Sequence, residues 1–249
     1  MANEPEPTSG KVDRLFKDPR APSDFKFGRE TARVFDDMVG RSVPFYGEIQ
    51  RMMAEIAADF ATPGSSVWDL GCASGTTLAG LDAVLDPGVR LIGVDNSRDM
   101  LDRAREKLAG SRSGRTTEFV EADIHALPAI SDASVVVMCL TLQFVRPLHR
   151  GRVLNAVWRG LRDDGCLILV EKVLGEESLI NRLFIQHYHE FKQGNGYTEI
   201  EIAKKREALE NVLTPYRLKE NEEMLRGVGF RAVDIFFKWY NFAGVLARK

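Results

Sequence analysis

The chain of 249 residues is 44% hydrophobic and 28% charged, the balance of a soluble globular protein with room for one large domain. A formal net charge of -2 gives no electrostatic reason to bind nucleic acid or an anionic membrane, and no run approaches the roughly 18 apolar residues of a membrane span. Cys72, Cys139 and Cys166 are odd in number and far apart, which suits reduced thiols in the cytoplasm, not a disulfide frame or a metal site; the histidines have no metal-binding context either.

In chain order, residues 1–24 read as a flexible polar leader and 25–249 as a single domain. An amphipathic helix over 48–61 is closed by Pro63-Gly64. A strand over 65–70, a Gly-rich turn and a helix over 76–85 follow, then Pro87-Gly88 and a strand over 89–95. The pattern continues with a helix over 97–110, a strand over 116–123, a doubly covered apolar strand over 134–142, a helix over 149–161 and a buried strand over 166–173. Such alternation predicts βαβ units, a parallel sheet and right-handed crossovers.

After Lys172 the pattern changes. A helix over 178–193 stops at Gly194-Asn195-Gly196, and Thr198 with Glu201 has the spacing of a capping box that opens the next helix. A helix over 218–229 leads into two apolar segments, 231–240 and 242–249, read as a strand pair completing the sheet. The helices between about 176 and 215 form a C-terminal helical insertion, a usual place for a lid or a subunit contact. Within it, at 100° per residue, Ile202, Leu209 and Leu213 fall within about 40° of one another, with Arg206 on the same apolar face. Glu210, one turn on, can pair with it. An anionic ligand would serve equally.

The first strand ends in DLGCASG, Asp69 to Gly75. Gly71 permits a sharp turn, and the small Cys72, Ala73 and Ser74 let a ligand approach backbone amides expected to be free near the helix N-terminus. Ala73 stands where a dinucleotide fingerprint has its middle glycine. The second strand ends in Asp95-Asn96, where a carboxylate can accept both hydroxyls of a ribose. The third is followed by Asp123-Ile124, an acid for an adenine amino group and an apolar cover for the ring; a helix N-cap is the plainer role for Asp123. All three pieces lie at strand C-terminal ends, where open α/β sheets bind ligands. Their spacing resembles the Rossmann-like class I S-adenosylmethionine-dependent methyltransferase fold, a seven-stranded, mostly parallel sheet with a reversed last strand.

A closer resemblance runs from about residue 25 to the C-terminus. FDDMVGRSVPFY, VWDLGCASG, GVDNSRDM, ADIHALP, LTLQF, FKQGNGYTEIEIAKKREALENV and GFRAVDIFFKWYNF are similar to the carboxy-S-adenosyl-L-methionine synthase family. The resemblance implies a cytoplasmic homodimeric transferase that uses S-adenosyl-L-methionine and prephenate. Carboxy-S-adenosyl-L-methionine and phenylpyruvate would be its products, the former serving a second enzyme in tRNA wobble uridine modification. By the same resemblance Tyr46 lies at the cofactor, and Gly71, Cys72 and Ala73 contact its methionine part. Asp95 and Asn96 hold the ribose, Asp123 and Ile124 the adenine. Arg206 is the arginine that binds the new carboxylate, in some members from the neighbouring subunit, and charge-assisted bidentate bonding suits it to that task. Cys139 stands where the family pattern has an asparagine, so it offers a backbone contact but no amide side chain.

No catalytic acid or base is assigned. Aromatisation drives the loss of the donor's carboxyl group, the departing carboxylate can itself take the methyl proton, and the sulfonium ylide survives only where water is excluded. The protein's part is positioning and electrostatic complementarity. His125 and His149 read as loop and helix-start residues, and His187 and His189 are expected to face a partner subunit. Two other functions suit the same residues: a small-molecule methyltransferase in which Arg206 binds a substrate carboxylate, and a non-catalytic cofactor-binding partner of a tRNA-modifying enzyme.

Overall fold

The computed structural model describes residues 12–17, 25–111, 113–115 and 117–249. Its centre is built from the continuous apolar runs, which become inner strands because both of their faces are covered. Three strands form the middle of the sheet: β1 (Ser66–Leu70), β4 (Ala133–Cys139) and β5 (Leu161–Leu174). β2 (Arg90–Asp95) and β3 (Thr117–Glu121) extend it on one side. β7 (Ala232–Trp239) and β8 (Phe242–Arg248) extend it on the other, giving the order β3-β2-β1-β4-β5-β8-β7. The first five are parallel, and β8 runs antiparallel to both β5 and β7. The expected seven-strand path with a reversed last strand is therefore present. β6 (Tyr216–Arg217), a two-residue strand outside that path, pairs with the end of β5.

Alternate side chains leave a strand on opposite faces, so each inner strand feeds two cores. Val135 and Val137 join Val67, Leu91 and Ile168 beneath the helices α2 (Tyr46–Phe60) and α3 (Thr76–Val84). Val136 and Met138 join Leu70, Ile92 and Leu169 beneath α5 (Pro147–Gly160) and α8 (Leu218–Val228). Α4 (Arg98–Leu108) is capped by Ser97 and inserts Leu101 into the first of these cores.

One helix escaped the sequence reading. α1 (Arg29–Ser42) buries Val34, Met38 and Val39, but Gly28 at its N-cap makes no side-chain capping bond, so the sequence carries no start signal. Asp36 on α1 accepts Ser74 Oγ at 2.6 Å and Lys107 Nζ at 2.9 Å, which ties this helix to the turn after β1.

The leader expected over 1–24 lies mostly outside the described residues. Its described piece, 12–17, is held against the domain: Asp13 is buried, its amide donates to Asp37 Oδ2 at 2.7 Å and its carboxylate accepts Tyr197 Oη at 2.7 Å. The insertion comprises α6 (Ser178–Gly194) and α7 (Glu199–Glu210), the latter opened by the expected Thr198–Glu201 capping box. Its buried face departs from the helical-wheel reading. Glu201, Ile202, Lys205 and Ala208 point inward, while Arg206 is exposed and forms no ion pair with Glu210. No helix among the described residues is long and apolar enough to cross a membrane.

Candidate functional site

The C-terminal ends of β1, β2 and β4 open onto a cavity of about 310 Å³. β1 is flanked by β2 on one side and β4 on the other, so the chain reverses its direction of winding here, which is where open α/β sheets bind ligands. Tyr46, Gly71, Cys72, Ala73, Asp95, Asn96, Asp123, Ile124 and Cys139 all line this one cavity. Arg206 does not. It lies in a separate groove between α6 and α7, beside Arg182, His189 and Gln193.

The turn after β1 is bonded to the second strand and not left free, as the sequence reading had it. The amides of Gly71 and Cys72 both donate to Val94 O, at 2.7 and 3.0 Å, and the Ala73 amide donates to Asp95 Oδ2 at 3.0 Å. Gly71 has a φ of 79°, and a Cβ there would come within 2.5 Å of Thr141, so the loop after β4 presses directly on the turn. Ala73, at φ 44°, accepts the left-handed conformation that a glycine holds more cheaply.

Asp95 also accepts the Ser97 amide, at Oδ1 and 2.8 Å. Each oxygen thus has one backbone donor and keeps acceptor capacity for hydroxyl groups. Burial pushes its carboxyl above the ordinary range, and these backbone donors oppose the shift. Asp123 accepts both the amide and Nδ1 of His125 from its place at the head of a single 3-10 turn, which holds its carboxyl low and makes it the cap that the plainer reading anticipated. It lines the cavity as well, so the two roles coexist.

Asp69 is more unusual. It is buried at the end of β1 with both carboxylate oxygens unpartnered among the described residues, and burial followed by the charge of Asp95 pushes it up to about 8. A buried acid in that condition favours a cationic neighbour. The charge of Asp69 reaches Tyr46 and Cys139, both on the cavity wall, and burial raises the pKa of each. Cys139 itself accepts a weak bond from Gln50 Nε2 at 3.8 Å.

The far side of the cavity was not legible in the sequence. Phe27, Phe35 and Phe144 form a chain of edge contacts, with centroids 6.3 Å apart for Phe27–Phe35 and 5.3 Å for Phe27–Phe144. Lys172 at the end of β5, Tyr188 on α6 and Lys205 on α7 complete the wall. Burial lowers both lysines to about 8. Lys205 donates to Ser42 Oγ at 2.8 Å, but Lys172 Nζ has, among the described residues, only the face of Tyr188, 5.0 Å from the ring centroid. A Gln143 clamp sets its backbone: Oε1 accepts the Lys172 amide at 3.0 Å while Nε2 donates to Leu140 O at 3.3 Å.

A parallel sheet with a reversed strand next to the last, acids at successive strand ends and a cavity over the crevice define the class I S-adenosylmethionine-dependent methyltransferase fold. A putative S-adenosyl-L-methionine-dependent methyltransferase from Methanococcus maripaludis shares it, with a TM-score of 0.59 over 92% of this chain and 97% of its own, at 18% sequence identity. Residues 67–165 match a family described as a methyltransferase domain. The residues present suit the ligand of that class: ribose hydroxyls for Asp95, an apolar cover at Ile124 for an adenine, and, behind the cavity wall, the buried carboxyl of Asp69, whose charge would favour a cation there.

The chain belongs to the carboxy-S-adenosyl-L-methionine synthase family and is a transferase. The family's protein from Methylococcus capsulatus is 58% identical over 227 residues, covering 91% of this chain and 94% of its own. That from Desulfotalea psychrophila is 41% identical over 240 residues, covering 96% and 98%.

Proposed function

We propose that the protein transfers a carboxyl group from prephenate to the methyl carbon of S-adenosylmethionine, forming carboxy-S-adenosylmethionine and phenylpyruvate. The convergence of nine residues from separate stretches of the chain on one cavity of the sheet carries this reading. As the donor ring becomes aromatic it sheds its carboxyl carbon as carbon dioxide and its hydroxyl group. The methyl carbon gives up one proton and bonds to the carbon dioxide, and the proton leaves with the hydroxyl oxygen as water. The aromatic cover formed by Phe27, Phe35 and Phe144 supports the exclusion of bulk water that such an exchange requires.

Arg206 serves the new carboxylate from a second copy of the chain in a homodimer. Its exposed position outside its own cavity supports this, as does the exposed apolar face of α6 at Leu179, Ile180 and Leu183. The free thiols Cys72, Cys139 and Cys166 support work in the cytoplasm, where the product feeds wobble uridine modification of tRNA.

The test is mass spectrometry of the small molecule released on denaturing the purified protein, and of the product formed with added prephenate. An adenosyl sulfonium heavier than S-adenosylmethionine by one carbon dioxide is expected. A methylated acceptor, with prephenate untouched, would replace this reading with an ordinary methyltransferase.

A further inference from the structure

The cavity wall holds a cation for which the reading so far has no use. Lys172 lines the cavity, and no carboxylate among the described residues pairs with it. The neighbouring Glu171 is engaged elsewhere: it accepts the Leu142 amide at 2.9 Å, and the charge that acts on it is that of Arg150. Lys192, buried on α6, sits 4.4 Å from the centroid of the same Tyr188 ring and likewise has no acidic partner among the described residues. Two ammonium groups on one ring, in a partly dry wall, form a local excess of positive charge. An isolated buried charge is costly unless an opposite charge meets it. Of these two, Lys172 reaches the cavity and Lys192 does not; Lys205, the other lysine on the wall, already donates to Ser42 Oγ at 2.8 Å, which leaves the Lys172 ammonium as the one without a hydrogen-bond acceptor among the described residues.

We propose that Lys172 is a positioning residue for the carboxyl donor, its ammonium holding the carboxylate that the donor keeps and not the one that it transfers. This rests on the reading of the reaction given above. The choice between the two carboxylates follows from energetics. A lysine paired with the departing carboxylate would stabilise its ionised form and oppose its loss as neutral carbon dioxide. Paired with the retained carboxylate, it anchors the donor equally before and during transfer, and its effect falls on KM. The Gln143 clamp on the Lys172 amide fixes the origin of the side chain, as an anchor requires.

The experiment compares wild type with Lys172→Met and Lys172→Arg. Lys172→Met is expected to raise KM for prephenate about tenfold or more, the worth of one charge-assisted hydrogen bond, with kcat changed less than about threefold and S-adenosylmethionine affinity within about twofold. Lys172→Arg is expected to recover part of the loss. An unchanged KM, a loss confined to kcat, or an equal loss of S-adenosylmethionine affinity would overturn the assignment. If wild type forms no carboxylated product, the reading of the reaction falls by itself. The lysine is then judged by calorimetric binding of phenylpyruvate, which keeps the carboxylate in question: binding by wild type and not by Lys172→Met supports the assignment, and equal or absent binding by the two overturns it.

Discussion

Asp95 reaches back from the end of β2 to take the Ala73 amide at 3.0 Å, so one carboxylate both shapes the turn after β1 and faces the cavity beside it. Replacing Asp95 with alanine leaves two backbone amides without their acceptor and removes the group suited to the ribose. S-adenosylmethionine affinity is expected to fall about tenfold to a hundredfold, with a lowered Tm, because a hydrogen bond to a charged group is worth about 1.5–3 kcal/mol. Calorimetric titration and a melting curve on the same sample check both effects. Unchanged affinity would remove Asp95 from the ligand site.

The contact between Gly71 and Thr141 makes a stability prediction. A methyl group at position 71 meets a positive φ and a side chain 2.5 Å away. Gly71→Ala is expected to cost about 2–4 kcal/mol, from backbone strain plus overpacking. The pair Gly71→Ala with Thr141→Ala should recover only part of this, since Thr141 Cβ is still 3.1 Å from the new methyl. Full recovery in the pair would mean that backbone strain contributes nothing.

The buried lysines set a pH dependence whose sign can be worked out. Lys172 titrates near 8 in the folded chain and near 10.5 when unfolded. Between those values the unfolded chain binds more protons, so stability rises with pH across that window, and the full penalty is present below about 8. Lys172→Met is therefore expected to raise the Tm of the ligand-free protein at pH 7, by about 2–4 °C for each kcal/mol relieved, with the gain fading above pH 10. Donor binding has the opposite slope: KM for prephenate in wild type should climb as pH rises past about 8, and this climb should be absent in Lys172→Met. The groups near Lys172 are Tyr188, His189 and Lys192, all from α6, and no acid among the described residues pairs with Lys172 or Lys192; Lys205 of α7, on the same cavity wall, has the charges of Asp13 and Asp37 acting on it.

Arg206 invites a mixing experiment. Arg206→Ala alone should keep S-adenosylmethionine binding and lose most affinity for the carboxylated form. Mixed in equal amounts with Asp95→Ala chains and allowed to exchange, it should regain about a quarter of wild-type activity, because about half of the dimers are mixed and each of those carries one intact site. If mixing restores nothing, Arg206 does not act across a subunit boundary.

The strand-end acids were legible because each follows a short apolar run, and period and punctuation both mark such ends. Tyr46, Cys139 and their neighbours came from motif resemblance, and the fold brings them to one cavity. Other features stayed hidden for identifiable reasons. α1 lacks a capping side chain at Gly28. Lys172 closes an apolar run and reads as the solvated end of a strand, and only the position of α6 shows that it faces a cavity. On α7 the wheel failed because part of its buried face is polar: Lys205 meets Ser42 and the Tyr197 hydroxyl, and Glu201 closes its own capping box. A hydrophobic stripe points to the core only where the surface it packs against is itself apolar.

The unneutralised wall at Lys172 and Lys192 also bears on the order in which substrates arrive. A sulfonium entering alone adds a further positive charge to a space that already holds an excess. An anion entering first neutralises that excess. Each substrate improves the site for the other, and thermodynamic linkage makes that help equal in both directions. Two molecules of opposite charge would then occupy the cavity together more readily than either does singly, which holds a labile methyl donor back from reaction until its carboxyl donor is present.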